Sequence, residues 1–329
     1  MKNIKKLGLF MLVVLTLLSL VACTTDSEEA VEPNNEAVEE DVNQDETEET
    51  PAAEFPVEIE DGLGNKVSIE EEPQKIISLS PSSTEMLFAL DLGDRVVGVS
   101  SNCNYPEEAT TKEVVGDYES SNIERIIELD PDLVLIYGES NEDEIKMMKE
   151  ADIKVLSFMG ESIDEVLANI KTVGAASGQT EKADQVTDDM TAKKDEILEK
   201  VKDQEEIKVF YEVWHDPLMG AGKGSFMDEL ISLTGAKNIA DDADGAYPQY
   251  DLEQLIERDP EVYLTSQAME DITVESIKAR PGYDAITAIK NDRVHLFIDE
   301  EADTVSRPGP RIVDALELVA RAIYPDAFK

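Results

Sequence analysis

Residues Asn122 to Tyr137 read Asn-Ile-Glu-Arg-Ile-Ile-Glu-Leu-Asp-Pro-Asp-Leu-Val-Leu-Ile-Tyr, and the pattern returns at Asp251 to Ser266 as Asp-Leu-Glu-Gln-Leu-Ile-Glu-Arg-Asp-Pro-Glu-Val-Tyr-Leu-Thr-Ser. Each copy begins with a capping Asn or Asp and continues as a short helix with apolar residues at helical spacing. An Asp-Pro pair then stops the helix, and a β-rich run follows. The repeat therefore predicts two similar α/β lobes.

The third residue of each copy is a glutamate in the predicted first helical turn, Glu124 in the first copy and Glu253 in the second. Because Ile123, Ile126 and Ile127 share one face of the first helix, Glu124 is expected to project into solvent from the opposite face. The second copy has the same spacing. A glutamate in a first helical turn also interacts favourably with the helix dipole, so exposure alone does not assign either carboxylate a function.

Strands alternate with helices on both sides of a long amphipathic segment. This alternation predicts an α/β fold with mostly parallel sheets and helices on their faces. Residues Glu181–Lys202 have the pattern of one continuous helix with Thr180 as its cap, and about 22 residues at 1.5 Å each give a rod of roughly 33 Å. The predicted architecture is two Rossmann-like lobes joined by a long, rigid α-helix.

The N-terminal region has the pattern of an export signal and not of a folded domain. Lys2, Lys5 and Lys6 precede an apolar run from Leu7 to Leu20, which is shorter than the roughly 20 residues that a membrane-spanning helix needs. The following segment is acidic, without Lys or Arg, and is expected to be a disordered tether. The predicted divisions are a signal peptide at 1–22, the tether at 23–54, an N-terminal lobe at 55–176, a linker helix at 177–205 and a C-terminal lobe at 206–329.

Composition limits the partners of the chain. Its formal net charge is −45, which argues against nucleic acid and against long-range attraction of an anionic ligand. Of the two cysteines, Cys23 directly follows the predicted signal peptide, and setting it aside leaves Cys103 as the only cysteine, so no intrachain disulfide is expected in the mature protein.

Ligands of parallel α/β lobes bind beyond the carboxyl ends of the strands. The predicted loops at these ends include 80–83, 213–223 and 300–307. Such loops contain many of the aromatic residues, namely Tyr105, Tyr118, Tyr137, Trp214, Tyr247 and Tyr250. Aromatic side chains with few charges suit a large, partly apolar, planar ligand.

Little in the sequence favours catalysis. The glycine-rich segment Gly220–Ser225 fails the phosphate-loop pattern because Gly224 follows Lys223 where Ser or Thr should stand. The two histidines, His215 and His295, belong to no zinc spacing or Ser/His/Asp set. No catalytic and no metal-binding residue is predicted. An exported metal- or nucleotide-dependent enzyme on an α/β scaffold remains as an alternative.

Several motifs resemble those of one protein family. They are Ser78-Leu79-Ser80-Pro81-Ser82-Ser83-Thr84-Glu85, Val97-Gly98-Val99-Ser100, Tyr105-Pro106, the two Glu-bearing repeats and Arg307-Pro308-Gly309-Pro310-Arg311. In this order they resemble the substrate-binding proteins of ABC importers for vitamin B12, ferric siderophores and haem. Val99-Ser100-Ser101 and Tyr247-Pro248-Gln249 are most similar to the cobalamin-binding branch. Leu20-Val21-Ala22-Cys23 resembles the lipobox of bacterial lipoproteins.

The resemblance implies a two-lobed protein that holds a ligand in a cleft and catalyses no reaction. The implied ligand is a cobalt corrinoid, with haem or a ferric siderophore as the alternative, and no resident cofactor is implied. Ligand-contacting positions carry over to Tyr118, Tyr137, Tyr247 and Arg307. Trp214 is added as a mouth aromatic.

The resemblance also implies where the protein lies and what it meets. One glutamate on each lobe, Glu124 and Glu253, is expected to dock on arginines of a two-subunit ABC permease. Lipid on Cys23 would anchor the chain to the outer face of the cell membrane. The chain is expected to act as an extracytoplasmic monomer that does not bind nucleic acid.

Overall fold

The computed structural model describes residues 55–117, 119–138, 142–266 and 272–329. The predicted signal peptide and tether, with the lipidation residue Cys23, lie outside the described residues, and so does Tyr118. In the described part of the chain, no helix combines the length and the apolar composition needed to cross a membrane.

A small antiparallel hairpin opens the described chain, with β1 at Val57–Glu60 and β2 at Lys66–Ile69. The Asp61 carboxylate holds its turn by accepting the N–H groups of Leu63 at 3.0 Å and Asn65 at 2.8 Å. Its second oxygen accepts the Ser157 N–H at 3.2 Å. The hairpin is thereby tied to the first large sheet.

The first large sheet is wholly parallel. Its strands are β3 Ile76–Ser78, β4 Val96–Ser100, β5 Glu113–Gly116, β6 Leu133–Tyr137 and β7 Lys154–Phe158, in the order β5-β4-β3-β6-β7. The helices are α1 Pro81–Ala89, α2 Ile123–Leu129, α3 Glu142–Glu150 and α4 Ile163–Ser177, with 3-10 turns at Gly93–Arg95 and Glu107–Thr111. The strand order changes direction between β3 and β6, which opens a crevice at their carboxyl ends.

The second large sheet has the order β10-β8-β11-β12, all parallel, with β9 antiparallel beside β8. Between the two sheets runs α5, Thr180–Val201. The remaining strands are β8 Lys208–His215, β9 Leu218–Gly220, β10 Lys237–Asn238, β11 Val262–Ser266 and β12 Val294–Phe297. The remaining helices are α6 Phe226–Leu233, α7 Leu252–Arg258, α8 Val274–Lys278, α9 Thr287–Lys290, α10 Asp299–Thr304 and α11 Ile312–Ile323, with 3-10 turns at Tyr283–Ala285 and Pro325–Phe328. The predicted α/β class with mostly parallel sheets is confirmed.

One continuous apolar core joins the two sheets. It includes Leu135 of β6, Val173 of α4, Met190 of α5, Leu316 of α11 and Val209 of β8, all buried. Helices α4, α5 and α11 therefore form a packed layer between the sheets, and α5 is more than a tether between two separate cores.

Two predicted helix starts need correction. Thr180 is the first helical residue of α5, and the capping position belongs to Gln179, whose side chain forms no capping hydrogen bond. Residues 81–83 are helical and not a loop. Ser80 caps α1 by accepting the Ser83 N–H at 3.2 Å, and Pro81 takes the first helical position, where its missing N–H costs nothing.

Two predicted mouth loops are regular structure. Trp214 and His215 lie in β8, because this strand continues into an antiparallel pairing with β9 that sets Trp214 opposite Met219 and His215 opposite Leu218. Much of the segment 300–307 belongs to α10. Ile127, predicted to share the buried face of α2, is 40% exposed because α2 buries only a narrow stripe around Ile123 and Ile126.

Gly178 ends α4 in the left-handed conformation, with φ of 77°. A Gly178→Ala variant is expected to lose about 1 kcal/mol of unfolding free energy, because a Cβ is unfavourable at this φ. For a chain of this size, the melting temperature should fall by roughly 2–4 °C in calorimetry. Gly178→Asn is the matched control and should lose less, since Asn tolerates the left-handed region. An equal loss in both variants would contradict this explanation.

Candidate functional site

A cleft of about 800 Å³ lies at the carboxyl ends of the first sheet's strands. Leu79 and Ser80 follow β3 at its floor, and Ile136 and Tyr137 end β6 beside them. These are the two strands between which the sheet order changes direction, so the cleft occupies the position expected for a ligand site in this architecture. Its volume falls in the range of small-molecule sites, about 300–1,000 Å³.

The far wall of the cleft comes from the C-terminal half of the chain. Phe226 begins α6, Tyr247 lies in the segment before α7, and Ser306, Arg307 and Pro308 precede α11. The cleft is therefore bounded by residues from both halves of the chain. Tyr247 is half exposed and open to a ligand.

Hydroxyl and amide groups make up much of the cleft lining. These residues are Ser80, Ser82, Ser100, Asn102, Ser120, Ser121 and Ser306. Such groups both donate and accept hydrogen bonds without adding charge. The cleft can therefore bind a ligand whose periphery is rich in neutral polar groups.

Buried hydroxyls below the floor of the cleft form one hydrogen-bonded cluster. Thr84 donates to Ser78 Oγ at 2.8 Å and approaches Cys103 Sγ at 3.0 Å, and Ser100 Oγ lies 3.2 Å from the same sulfur. This network fixes the chain turns that follow β3 and β4. Cys103, the predicted unpaired cysteine, is buried in it.

Three of the five predicted ligand-binding residues lie in the cleft lining. Tyr137, Tyr247 and Arg307 line the cleft. Trp214 is not among the described lining residues; its indole N–H donates to the Asp216 carbonyl at 2.8 Å, across the β8–β9 turn. Tyr118 lies outside the described residues.

The two lining tyrosines are neutral phenols at physiological pH. Burial raises the pKa of Tyr137 to about 12, and its hydroxyl lies 3.3 Å from the Gly160 carbonyl oxygen, to which it donates. Burial also raises the pKa of Tyr247. Both side chains therefore offer aromatic faces and hydrogen-bonding hydroxyls.

Arg307 belongs to a charged cluster that links the two halves of the chain. Its guanidinium lies 2.8 Å from Asp303 and 3.7 Å from Glu85 of α1. Glu85 in turn receives two hydrogen bonds from Arg311, at 2.9 and 2.7 Å. The cluster of Glu85, Asp303, Arg307 and Arg311 thus holds α1 against the segment leading into α11.

Glu161 is a lining residue that the sequence reasoning missed. Its carboxylate accepts a hydrogen bond from the Phe226 N–H at the start of α6, and burial raises its pKa. In return, Glu229 of α6 accepts the Ile163 N–H at the start of α4, at 2.8 Å. The strand-end rule could have found Glu161, because it lies just beyond β7.

Glu124 and Glu253 lie where the repeat predicts them. Both are exposed in the first turn of their helices, α2 and α7. Asn122 and Asp251 cap these helices by accepting the N–H groups of Arg125 and Gln254. Neither glutamate lines the cleft, so each is available to a partner without disturbing a bound ligand.

Comparison with known proteins agrees with this architecture. Over 283 residues the chain is 40% identical to the uncharacterized ABC transporter substrate-binding lipoprotein YvrC of Bacillus subtilis, covering 84% of this chain and 88% of the relative. It is 30% identical to the vitamin B12-binding protein of Vibrio cholerae, covering 75% of this chain and 87% of that protein.

Among solved structures, a possible iron-binding periplasmic solute-binding protein of Staphylococcus epidermidis superposes with a TM-score of 0.69 at 32% identity, covering 77% of this chain and all of that one. The family model described as periplasmic binding protein matches residues 76–300. Its members bind substrates for transport and are not enzymes. The matched residues include both sheets and nearly every element that lines the cleft, and the chain belongs to the periplasmic binding protein family.

Proposed function

We propose that this protein captures a corrinoid such as cobalamin in the cleft and delivers it to an ABC permease. The observation that supports this most directly is the combination of a volume of about 800 Å³ with a lining that includes six serine hydroxyls and the Asn102 amide. A corrinoid is large, partly apolar and surrounded by neutral amides, so its periphery matches such a lining. Tyr137 and Tyr247 would pack against the ring system.

The relatives support the same proposal. The vitamin B12-binding protein of Vibrio cholerae is 30% identical over most of its length, and the Bacillus subtilis relative is named a lipoprotein. The lipoprotein name of the Bacillus subtilis relative and the lipobox-like sequence before Cys23 together favour a mature chain tethered by lipid to the outer face of the cell membrane. There it would act as a monomer that meets its ligand and its permease outside the cytoplasm.

An iron compound, either haem or a ferric siderophore, is the second candidate ligand. The observation that favours it is the pair of phenols, Tyr137 and Tyr247, in the cleft, together with the name of the Staphylococcus epidermidis relative. Phenol oxygens ligate ferric iron as phenolates. Burial raises the pKa of both tyrosines, which opposes that ionisation. The corrinoid is preferred because the six serine hydroxyls and the Asn102 amide of the lining match its neutral polar periphery.

Titration of the purified full-length chain in detergent separates the candidates. Cyanocobalamin is expected to bind at micromolar concentration or below, with heat released in calorimetry and a shift of its visible spectrum. Haem is expected to give no ligated Soret band, and ferric chelates should bind more weakly. A failure to bind cyanocobalamin and other corrinoids, or tighter binding of haem or an iron chelate, would overturn the proposal.

Tyr247→Ala is expected to weaken corrinoid binding by about tenfold, because it removes an exposed aromatic face at the cleft wall. Val114→Ala removes an exposed apolar side chain from β5, outside the cleft lining, and serves as the control. The two dissociation constants are measured by the same titration. Equal affinity of Tyr247→Ala and the parent protein would remove Tyr247 from the binding site.

We also propose that Glu124 and Glu253 dock the protein on its permease. The duplication that gives two lobes places the same exposed carboxylate near the start of α2 and of α7. A permease built from two like subunits would offer two like surfaces, so a repeated carboxylate is complementary to it. The basic residues that would receive these carboxylates belong to the partner.

A further inference from the structure

The cleft has a strongly negative lining. Four carboxylates are among its described lining residues, namely Asp117, Glu119, Glu144 and Glu161. In the same described set, Arg307 is the one basic residue. Asp117 and Glu119 are exposed, and Glu144 and Glu161 are both partly exposed, with Glu161 against the start of α6.

Arg307 does not offset these carboxylates because acids outside the lining already neutralise it. Its guanidinium pairs with Asp303 at 2.8 Å and approaches Glu85 at 3.7 Å. Glu85 is paired in turn with Arg311. The two acids and two arginines of this cluster cancel, so a ligand in the cleft meets the field of the four lining carboxylates.

The charge of a corrinoid depends on two removable groups. Cobalt(III) inside the singly negative corrin ring leaves two positive charges. An axial cyanide cancels one of them, and the phosphate of the nucleotide loop cancels the other. Cyanocobalamin is therefore neutral. Aquocobalamin has one positive charge at nearly the same size, and aquocyanocobinamide, which lacks the phosphate, has one as well.

Building on the corrinoid function proposed above, we infer that the cleft selects corrinoids with a net positive charge, whether they lack the nucleotide phosphate or the axial cyanide. A phosphate in this cleft would be repelled by the lining carboxylates. Arg307 would not compensate for this repulsion, because it is already paired with Asp303. A cation would be attracted to Glu144 and Glu161 through a medium of lower effective dielectric constant than water. The preferred substrates are thus incomplete or aquated corrinoids rather than the neutral vitamin.

Three corrinoids titrated into the full-length chain in detergent test this inference. Aquocobalamin and aquocyanocobinamide are each expected to bind roughly tenfold more tightly than cyanocobalamin at low salt. The preference should shrink as ionic strength rises, because salt screens the lining carboxylates at the open side of the cleft. Equal affinities for the three corrinoids at low salt would overturn the inference and leave the proposed function in place. Binding of none of them would overturn both.

Charge-neutral variants separate electrostatic selection from other causes, such as replacement of the axial water by a protein ligand. Glu144→Gln with Glu161→Gln keeps the oxygens that accept the Ser121 and Phe226 N–H groups, so folding should survive. The cation preference is expected to fall by about tenfold in this double variant. Glu196→Gln, on the exposed side of α5, is the control and should keep the full preference. A preference that persists unchanged in the double variant would contradict the inference.

Discussion

Uptake of the ligand is expected to be abolished when Glu124 and Glu253 are both replaced by arginine. The two carboxylates are exposed in the first turns of α2 and α7, and the described residues include no ion-pair partner for either of them. Reversing both charges would turn two attractions with a basic permease surface into two repulsions. Because neither residue lines the cleft, ligand affinity should stay within about threefold, or roughly 0.7 kcal/mol.

Folding should survive this double replacement. An arginine near a helix N-terminus is unfavourable by about 0.3–1 kcal/mol at an exposed site, which is small against the stability of an ordinary domain. The capping side chains of Asn122 and Asp251 are untouched. Loss of uptake with a normal melting temperature would therefore report docking and not misfolding.

Uptake is measured in cells or proteoliposomes that contain the cognate permease, with the double variant and a charge-matched control. Glu181→Arg with Glu196→Arg makes the same change of charge on α5, away from α2 and α7, and one of its sites is also in a first helical turn. The control should transport normally. Full uptake by the Glu124 and Glu253 double variant would leave both glutamates with only their helix-dipole role.

The free energy of unfolding is expected to fall by about 3–5 kcal/mol in Glu85→Ala. The Glu85 side chain is 2% exposed and that of Arg311 is 10% exposed, and two hydrogen bonds join them. Removing the carboxylate leaves the largely buried Arg311 guanidinium with Glu300, 3.5 Å away and 75% exposed, as its remaining acidic partner. Arg307, 3.7 Å from the same carboxylate, keeps Asp303 as its partner.

Denaturant unfolding of three variants tests this explanation. Glu58→Ala breaks the pair with Lys66, in which both side chains are 67% exposed, and should cost less than about 1 kcal/mol. Glu85→Leu with Arg311→Met removes the buried pair together and should recover much of the loss. A double variant as unstable as Glu85→Ala would mean that the side chains are needed for their shape, and not that loss of the buried partner of Arg311 destabilises the protein.

Loss of Glu85 should also affect the cleft. The charged cluster holds Arg307 and Pro308, two lining residues, against α1. The ion pair of Glu85 and Arg311 therefore contributes both to the stability of the protein and to the shape of the binding site. Glu85 and Arg311 are 226 residues apart in the chain, so no local sequence pattern predicts their contact.

The sequence predicted the regular parallel strands well and their surroundings less well. The sequence predicts strands at Leu133–Tyr137 and Lys154–Phe158, which are the bounds of β6 and β7, because each is an apolar, β-prone run between clear stop signals. The end of β8 did not, since Trp214 and His215 become a strand only by pairing with β9. Ser80 was assigned to a loop because its role as the cap of α1 depends on a hydrogen bond from the Ser83 N–H, and composition does not reveal that bond.

The candidate site was also predictable from the sequence only in part. Tyr137 and Tyr247 could be named because they follow strands or resemble family positions, and both line the cleft. Glu144 could not, because it lies on α3 and reaches the cleft only through the packing of that helix on the first sheet. The neutralisation of the Arg307 charge could not be predicted from the sequence either, since it involves Glu85 in another part of the chain.

The continuous core has a thermodynamic consequence for the whole molecule. Buried side chains of α4, α5 and α11 contact one another between the sheets, so neither sheet can lose its structure without exposing apolar surface that belongs to the other. The two halves therefore form one cooperative unit, and heating should melt them in a single calorimetric transition. A ligand bound at the cleft then protects the second sheet, which contributes little to the cleft lining, as much as the first.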